Sequence, residues 1–209
     1  GWEKDGKLYL RVVDYKTGRK SFDFTDILNG IGLQMLIYLF ALGKGGEDYF
    51  HKPIVPSGVL YIPARDVLIQ GSRSMGEEER VKKVSYELRR KGVILDDEAV
   101  LRAMESSEGG EIHYLPVKLD KNGNIVGSAL LSAEKLGRLE RHVDTLLKKL
   151  THEIYSGSTE LNPYRKGAYV SCDHCDYAAV CHFSDAGKPR KLEKVSDERF
   201  WELVGGEER

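Results

Sequence analysis

Cysteine is scarce and local in this 209-residue chain, with three copies confined to positions 172–181. An odd number packed so closely excludes a disulfide framework and points to a ligand cluster or reduced thiols. Net charge is also lacking: 32 basic residues face 33 acidic ones. No global field draws the chain to nucleic acid, so any such role has to rest on local basic patches. No apolar run is long enough to span a bilayer. The best, Ile31 to Leu42, is too short and contains Gln34, so no membrane partner is expected. No signal-peptide pattern, internal repeat or clear linker is present, and the expected location is cytoplasmic. The start at Gly1-Trp2, without an initiator Met, reads as a cut fragment. What remains is ordinary for a globular protein, at 41% hydrophobic and 31% charged. Nothing in the pattern requires a homo-oligomer.

Turn and periodicity signals predict an α/β chain. Lys4-Asp5-Gly6-Lys7 reads as a hairpin turn, because Asp-Gly supplies the positive φ angles tight turns need. Leu8 to Asp14 is then a strand, with Gly1 to Glu3 as the end of its partner. Thr25 is a candidate N-cap for a helix from Asp26 to about Leu42, apolar nearly all round and therefore expected to be buried on most sides. Val59 to Ile62 reads as an apolar strand closed by Pro63. A charged helix is expected over Gly76 to Lys91, and a shorter one over Asp96 to Ser106 with acids at its positive end. His113 to Leu119 looks like a strand, and Asn122-Gly123 a hairpin turn into Ile125 to Leu131. Ser132 caps the longest helix, reaching about Tyr155, with Leu136, Leu139, Val143, Leu146, Leu147, Leu150 and Ile154 on one face. Gly157 ends it. The tail from Ser184 to Val195 reads as polar and loose, and Asp197 to Val204 as a short helix. The expected organisation is a single domain over 1–209: core strands, helix and insert in 1–131, the long helix in 132–156, and a cysteine-bearing segment and tail in 157–209.

Three groups carry chemistry. Asp14 and Lys16 stand two residues apart at the end of an apolar strand, so both project to one face. A carboxylate that can hold a divalent cation, beside an ammonium that can stabilise a developing oxyanion, suits phosphodiester hydrolysis. Alone, the pair also reads as a solvated strand end before the Thr17-Gly18 turn. Gln34 and Tyr38, four residues apart, share a helix face; taken alone they read as structural, with Gln34 bonding nearby backbone and Tyr38 in the core. Cys172, Cys175 and Cys181 form C-x-x-C-x(5)-C, a spacing that can grip a metal or cluster. His174 and His182 could complete a zinc site, or could be histidines of a wet loop. Arg19 and Lys20, just past the strand, are better placed to touch a phosphate backbone than Arg89, Arg90 and Lys91, which read as a solvated helix face.

Together, Asp14-Tyr15-Lys16-Thr17-Gly18, the downstream Gln34-x-x-x-Tyr38 and the cysteine triplet resemble PD-(D/E)XK nucleases of the RecB-like type. Within that group they resemble the iron–sulfur branch with AddB-type nuclease domains, the nuclease partners in AddAB helicase–nucleases. Leu88 to Met104 resembles an AddB helical insert, and Asn162-Pro163-Tyr164 before the cysteines also fits. The resemblance covers nearly the whole chain.

That resemblance implies a restriction-endonuclease-like mixed sheet flanked by helices, with a helical insert and a C-terminal cysteine-containing appendage. It implies a metal-dependent DNA exonuclease acting on single-stranded DNA in double-strand-break repair by recombination, with an AddA-like helicase subunit as partner. Asp14 and the backbone carbonyl of Tyr15 would hold Mg²⁺ or Mn²⁺. Lys16 would position the attacking water or stabilise charge on the phosphate, and Gln34 and Tyr38 would line the site. Cys172, Cys175 and Cys181 would carry a 4Fe–4S cluster in the parent protein, with a fourth cysteine outside this chain. A further acid on the preceding strand and an upstream histidine are also absent, with Glu3 and Asp5 poorly placed to substitute. The fragment is therefore expected to be weak or inactive. A CRISPR-type RecB-like nuclease, disfavoured by the long insert, and a non-catalytic DNA-binding module with a zinc clip are the alternatives.

Overall fold

The computed structural model describes residues 1–72, 74–105, 112–183 and 187–205. Those residues divide into two compact units, one of residues 1–22 and 33–141, the other of 23–32 and 142–209. Among the described residues, no helix is long and apolar enough to cross a membrane.

The first unit is built on a hairpin. β1 (Trp2–Lys4) pairs antiparallel with β2 (Lys7–Lys16), with Trp2 opposite Tyr9. Asp5 and Gly6 take φ of 50° and 74°, the conformation of the tight turn that Asp-Gly favours. The chain next forms α1 (Phe24–Leu28), which belongs to the second unit. It then returns as α2 (Gln34–Gly45), α3 (Glu47–Phe50) and β3 (Ile54–Pro63). α4 (Glu77–Glu87), β4 (Lys91–Leu95) and α5 (Glu98–Met104) follow. A small hairpin of β5 (Lys118–Leu119) and β6 (Ile125–Val126) precedes β7 (Leu130–Leu131) and α6 (Ala133–Tyr155).

The main sheet has the order β1-β2-β3-β4-β7. β2 runs parallel to β3, β3 antiparallel to β4, and β4 parallel to β7. It is a mixed sheet with helices packed on it, as expected. β3 is central: Val59, Leu60 and Tyr61 are all buried, as a strand covered on both faces requires. On one face Leu60 and Ile94 pack with Leu101, Leu115 and Val117. Glu105 pins this cluster's edge, its carboxylate accepting backbone N–H bonds from His113, Tyr114 and Leu115.

Several sequence expectations need correction. The helix expected from Asp26 to Leu42 is two helices. Gly30 and Gly32 have φ of 77° and 70°, which no right-handed helix tolerates, and the break sends α1 and α2 into different units. The cap of α1 is Asp23, whose carboxylate accepts from the Thr25 N–H. α2 is not buried all round: Met35, Leu36, Leu39 and Phe40 are covered, whereas Gln34 and Tyr38 are exposed. The charged helix stops at Glu87, and Lys91–Leu95 is a strand, so Arg89, Arg90 and Lys91 are not a helix face. The stretch resembling a helical insert, Leu88 to Met104, is a sheet strand followed by a short helix. Only the Glu98–Met104 part of the helix expected to Ser106 is formed, and Ser106 lies outside the described residues. His113 to Leu119 is a strand only at its last two residues.

The second unit surrounds Phe200, which is fully buried on α8 (Asp197–Gly205). Phe24 of α1 stacks on it with centroids 4.5 Å apart, and the buried His142 meets it edge-on. Ser132 Oγ caps α6 by accepting from the Lys135 N–H at 3.2 Å, and Gly157 follows its last turn in a positive-φ conformation. The apolar stripe of α6 is covered at Leu136, Leu139 and Val143, but Leu150 and Ile154 are exposed. β8 (Tyr164–Lys166) and β9 (Tyr169–Val170) form a hairpin, α7 (Ala178–Cys181) follows, and β10 (Arg190–Lys191) runs parallel to β8. The expected loose tail therefore contains a paired strand; its residues 184–186 lie outside the described residues.

Candidate active site

The β2 strand carries Leu8, Leu10, Val12, Asp14 and Lys16 to one face by simple alternation. In the parallel ladder Asp14 lies opposite Tyr61 and Lys16 opposite Pro63. Paired residues share a face, so the charged pair lies on the Tyr61 side of the sheet, away from the Leu60–Ile94 cluster. Lys16 Nζ donates to Asp14 Oδ2 at 2.7 Å, with both side chains partly exposed. This hydrogen bond holds the Lys16 ammonium above the ordinary lysine range, against an opposing pull from desolvation, and the fields of Asp14 and Tyr61 add to the rise. Lys16 is a cation throughout the physiological range.

α2 covers the same face. It packs on β2 and β3. A Cβ placed on Gly43 would meet the Pro56 ring, and one on Gly46 the Ile54 side chain. The helix therefore runs antiparallel to β3. Tracing back from Gly43 to Gln34 covers about 13 Å of helix, which matches about 13 Å along β3 from Pro56 to Tyr61 once the bulge at Ser57 is counted. Gln34 thus stands near the level of Tyr61, and hence of Asp14. Gln34 Nε2 donates to Tyr38 Oη at 3.0 Å. The structural reading of these two residues is wrong on both counts: Gln34 bonds a side chain rather than backbone, and Tyr38 is 52% exposed. Each pair is closed on itself, Asp14 on Lys16 and Gln34 on Tyr38.

Asp14 and backbone carbonyls such as that of Tyr15 are hard oxygen donors of the kind Mg²⁺ takes. Their number falls short, because no group of three His, Cys, Asp or Glu side chains able to hold a metal is formed among the described residues. The β1–β2 register places the position opposite Asp14 upstream of Gly1, since Trp2 already pairs with Tyr9.

Cys172, Cys175 and Cys181 are free thiols in the second unit, the last two exposed. They ride on successive tight turns: the Cys175 N–H donates to the Cys172 carbonyl at 3.2 Å, and the Cys181 N–H to that of Tyr177 at 2.9 Å. Together with His174 and His182 they form no three-ligand group among the described residues, so the donor set present does not by itself fit a cluster.

Comparison with known proteins decides the family. The model for the PD-(D/E)XK nuclease superfamily matches residues 3–182. The chain belongs to the PD-(D/E)XK nuclease superfamily. The mixed sheet with flanking helices is consistent with its restriction-endonuclease-like fold. Its relatives include AddB proteins, the nuclease-bearing subunits of ATP-dependent helicase/deoxyribonucleases. The chain is 35% identical over 204 residues to the AddB protein of Acetivibrio thermocellus, covering 96% of this chain and 18% of that protein. The AddB proteins of Symbiobacterium thermophilum and Clostridium acetobutylicum are 33% and 31% identical, over 98% and 97% of this chain and again 18% of each relative. The chain thus spans less than a fifth of the length of these curated relatives.

Tyr61 was not found from sequence, nor were Arg65, Tyr86, Arg89 and Lys91, which line a cavity with Arg19 and Lys20. No local motif marks them, since they meet only through the pairing of β2, β3 and β4.

Proposed function

We propose that this chain is the nuclease domain of a helicase–nuclease subunit, and that the parent protein hydrolyses phosphodiester bonds of single-stranded DNA as an exonuclease. The observation that carries the reading is the Lys16–Asp14 ion pair on one face of β2, in a chain whose family is that of PD-(D/E)XK nucleases. Gln34 and Tyr38, on the helix over that face, support it. The names of the relatives support a helicase partner of AddA type. A role in recombinational repair and a cytoplasmic location belong to the same reading.

In this reading Lys16 acts as a fixed cation. Its ammonium donates to a non-bridging phosphate oxygen or to the attacking water, and opposes the charge that builds on the phosphate. Asp14 keeps Lys16 protonated and aimed. Gln34 and Tyr38 offer an amide and a hydroxyl to the scissile strand. Mg²⁺ or Mn²⁺, held by Asp14, the Tyr15 carbonyl and a carboxylate from the strand line ahead of Gly1, would supply Lewis acidity and a more acidic water. The three cysteines would hold a 4Fe–4S cluster with a fourth cysteine from elsewhere in the parent protein.

The test is degradation of single-stranded DNA by the full-length parent protein with Mg²⁺. Asp14→Ala and Lys16→Ala should each abolish it. Cutting that survives both substitutions would overturn the proposal.

A further inference from the structure

Immediately past the Lys16 end of β2 the first unit contains a cavity of about 340 Å³. Its lining is strongly one-signed. Arg19, Lys20, Arg65, Arg89 and Lys91 face a single carboxylate, Glu87. Glu87 is shared by Arg65 at 3.3 Å and Arg19 at 3.8 Å. Lys20, Arg89 and Lys91 have no carboxylate partner among the described residues, and the Nε of Arg89 is out of water with no acceptor. Like charges gathered without counterions raise each other's cost, so such a cluster is suited to an anion that supplies the missing charge.

The cavity also has an address. Pro63, on its wall, is the ladder partner of Lys16. Lys20 Nζ lies 5.9 Å from the ring centre of Tyr61, the ladder partner of Asp14. The basic groove therefore continues directly from the Asp14–Lys16 pair. At its rim Tyr86 is 70% exposed, with the Arg89 guanidinium 6.0 Å from its ring centre. An exposed aromatic ring beside unpaired cations is the combination that binds single-stranded nucleic acid, cations to phosphates and ring to base.

We infer that Lys20, Arg89 and Lys91 form a phosphate track for the nucleic-acid strand next to the scissile position, with Tyr86 as a base-stacking platform. The inference rests on the nuclease reading for its ligand, and names where that strand runs.

The experiment is equilibrium binding of a fluorescent oligothymidylate to this chain in EDTA, across a salt series. The Lys20→Ala/Arg89→Ala/Lys91→Ala variant should bind at least tenfold more weakly. Each phosphate contact on a single strand contributes about 0.7 to the slope of log affinity against log salt, so losing three should flatten it by about 2. Lys20 and Lys91 are exposed, so Lys20→Glu/Lys91→Glu gives the same readout should loss of Arg89 disturb the fold. Tyr86→Ala should weaken binding about fivefold or more, Tyr86→Phe should not, and an abasic oligonucleotide should erase the difference. Absence of binding by the unaltered chain, or unchanged affinity and slope in both multiple variants, overturns the inference. Cleavage is a separate readout: intact binding effects with cutting that survives Asp14→Ala would sink the nuclease reading alone. Loss of cutting in Asp14→Ala with no effect of the basic variants would sink the groove alone.

Discussion

Lys16 Nζ donates to Asp14 Oδ2 at 2.7 Å, two residues along one strand, and this bond keeps the ammonium protonated above the ordinary lysine range. The pair is too exposed to matter for stability. Its consequence is chemical, and it makes the alkaline behaviour of the site depend on an acid.

The first prediction follows from that dependence. Asp14→Asn removes the charge and weakens the bond that raises Lys16, so the Lys16 ammonium should titrate at lower pH than in the unaltered chain. NMR of the Lys16 side chain reads this directly. A titration that does not move would show that the pair does not persist in solution.

A second prediction concerns the second unit. Lys166 Nζ bridges Asp23 at 2.7 Å and Asp26 at 2.6 Å, tying β8 to the start of α1. Burial pulls the Lys166 pKa down, but its bonds to Asp23 and Asp26 outweigh this and the net shift is upward. Burial likewise opposes the Asp23 carboxylate, yet its bonds to Lys166 and Thr25 leave it below the ordinary value. The Lys166 contribution is fully present below the ordinary lysine pKa and is lost as pH rises through the raised one. The Asp23 contribution is present above the ordinary aspartate pKa and is lost as pH falls through the lowered one. Lys166→Met should cost about 1–2 kcal/mol near neutrality, after discounting for solvent screening. The loss should shrink at both extremes when urea unfolding is measured across pH.

Phe200 supplies a third. It is fully buried, stacked on Phe24 and met edge-on by His142. Phe200→Ala should cost about 3–5 kcal/mol in unfolding. Phe200→Leu should retain more than half of that stability, because most of the lost volume is refilled.

The cysteines give a fourth. Anaerobic purification of the full-length parent should yield a brown protein with visible sulfur-to-iron absorption, lost in Cys172→Ser. A colourless protein with stoichiometric zinc would replace the cluster with a zinc clip.

How much of this was legible in the chain is decided residue by residue. Asp5-Gly6 announced its hairpin because the turn's positive φ angles are a local demand. Asp14 and Lys16 were placed on one face because strand alternation needs only neighbours. Gly30 and Gly32 were equally visible, yet the apolar run around them masked the break, since periodicity cannot separate one buried helix from two. Gln34 and Tyr38 were paired correctly by helix spacing, but their exposure depended on which face of α2 the sheet would cover.

Local chemistry thus determined the turns, the strand ends, the long α6 and the identity of the reactive residues, because those preferences act over a few bonds. Tertiary structure alone decided the rest. β4 came to lie beside β3 although charged residues flank it, because long-range burial outweighs local propensity. That pairing brought Lys91 and Arg89 to the same cavity as Arg19 and Lys20, some seventy positions away in the chain. The basic groove is absent from any single stretch of sequence, and it exists because strands distant in the chain are neighbours in the sheet.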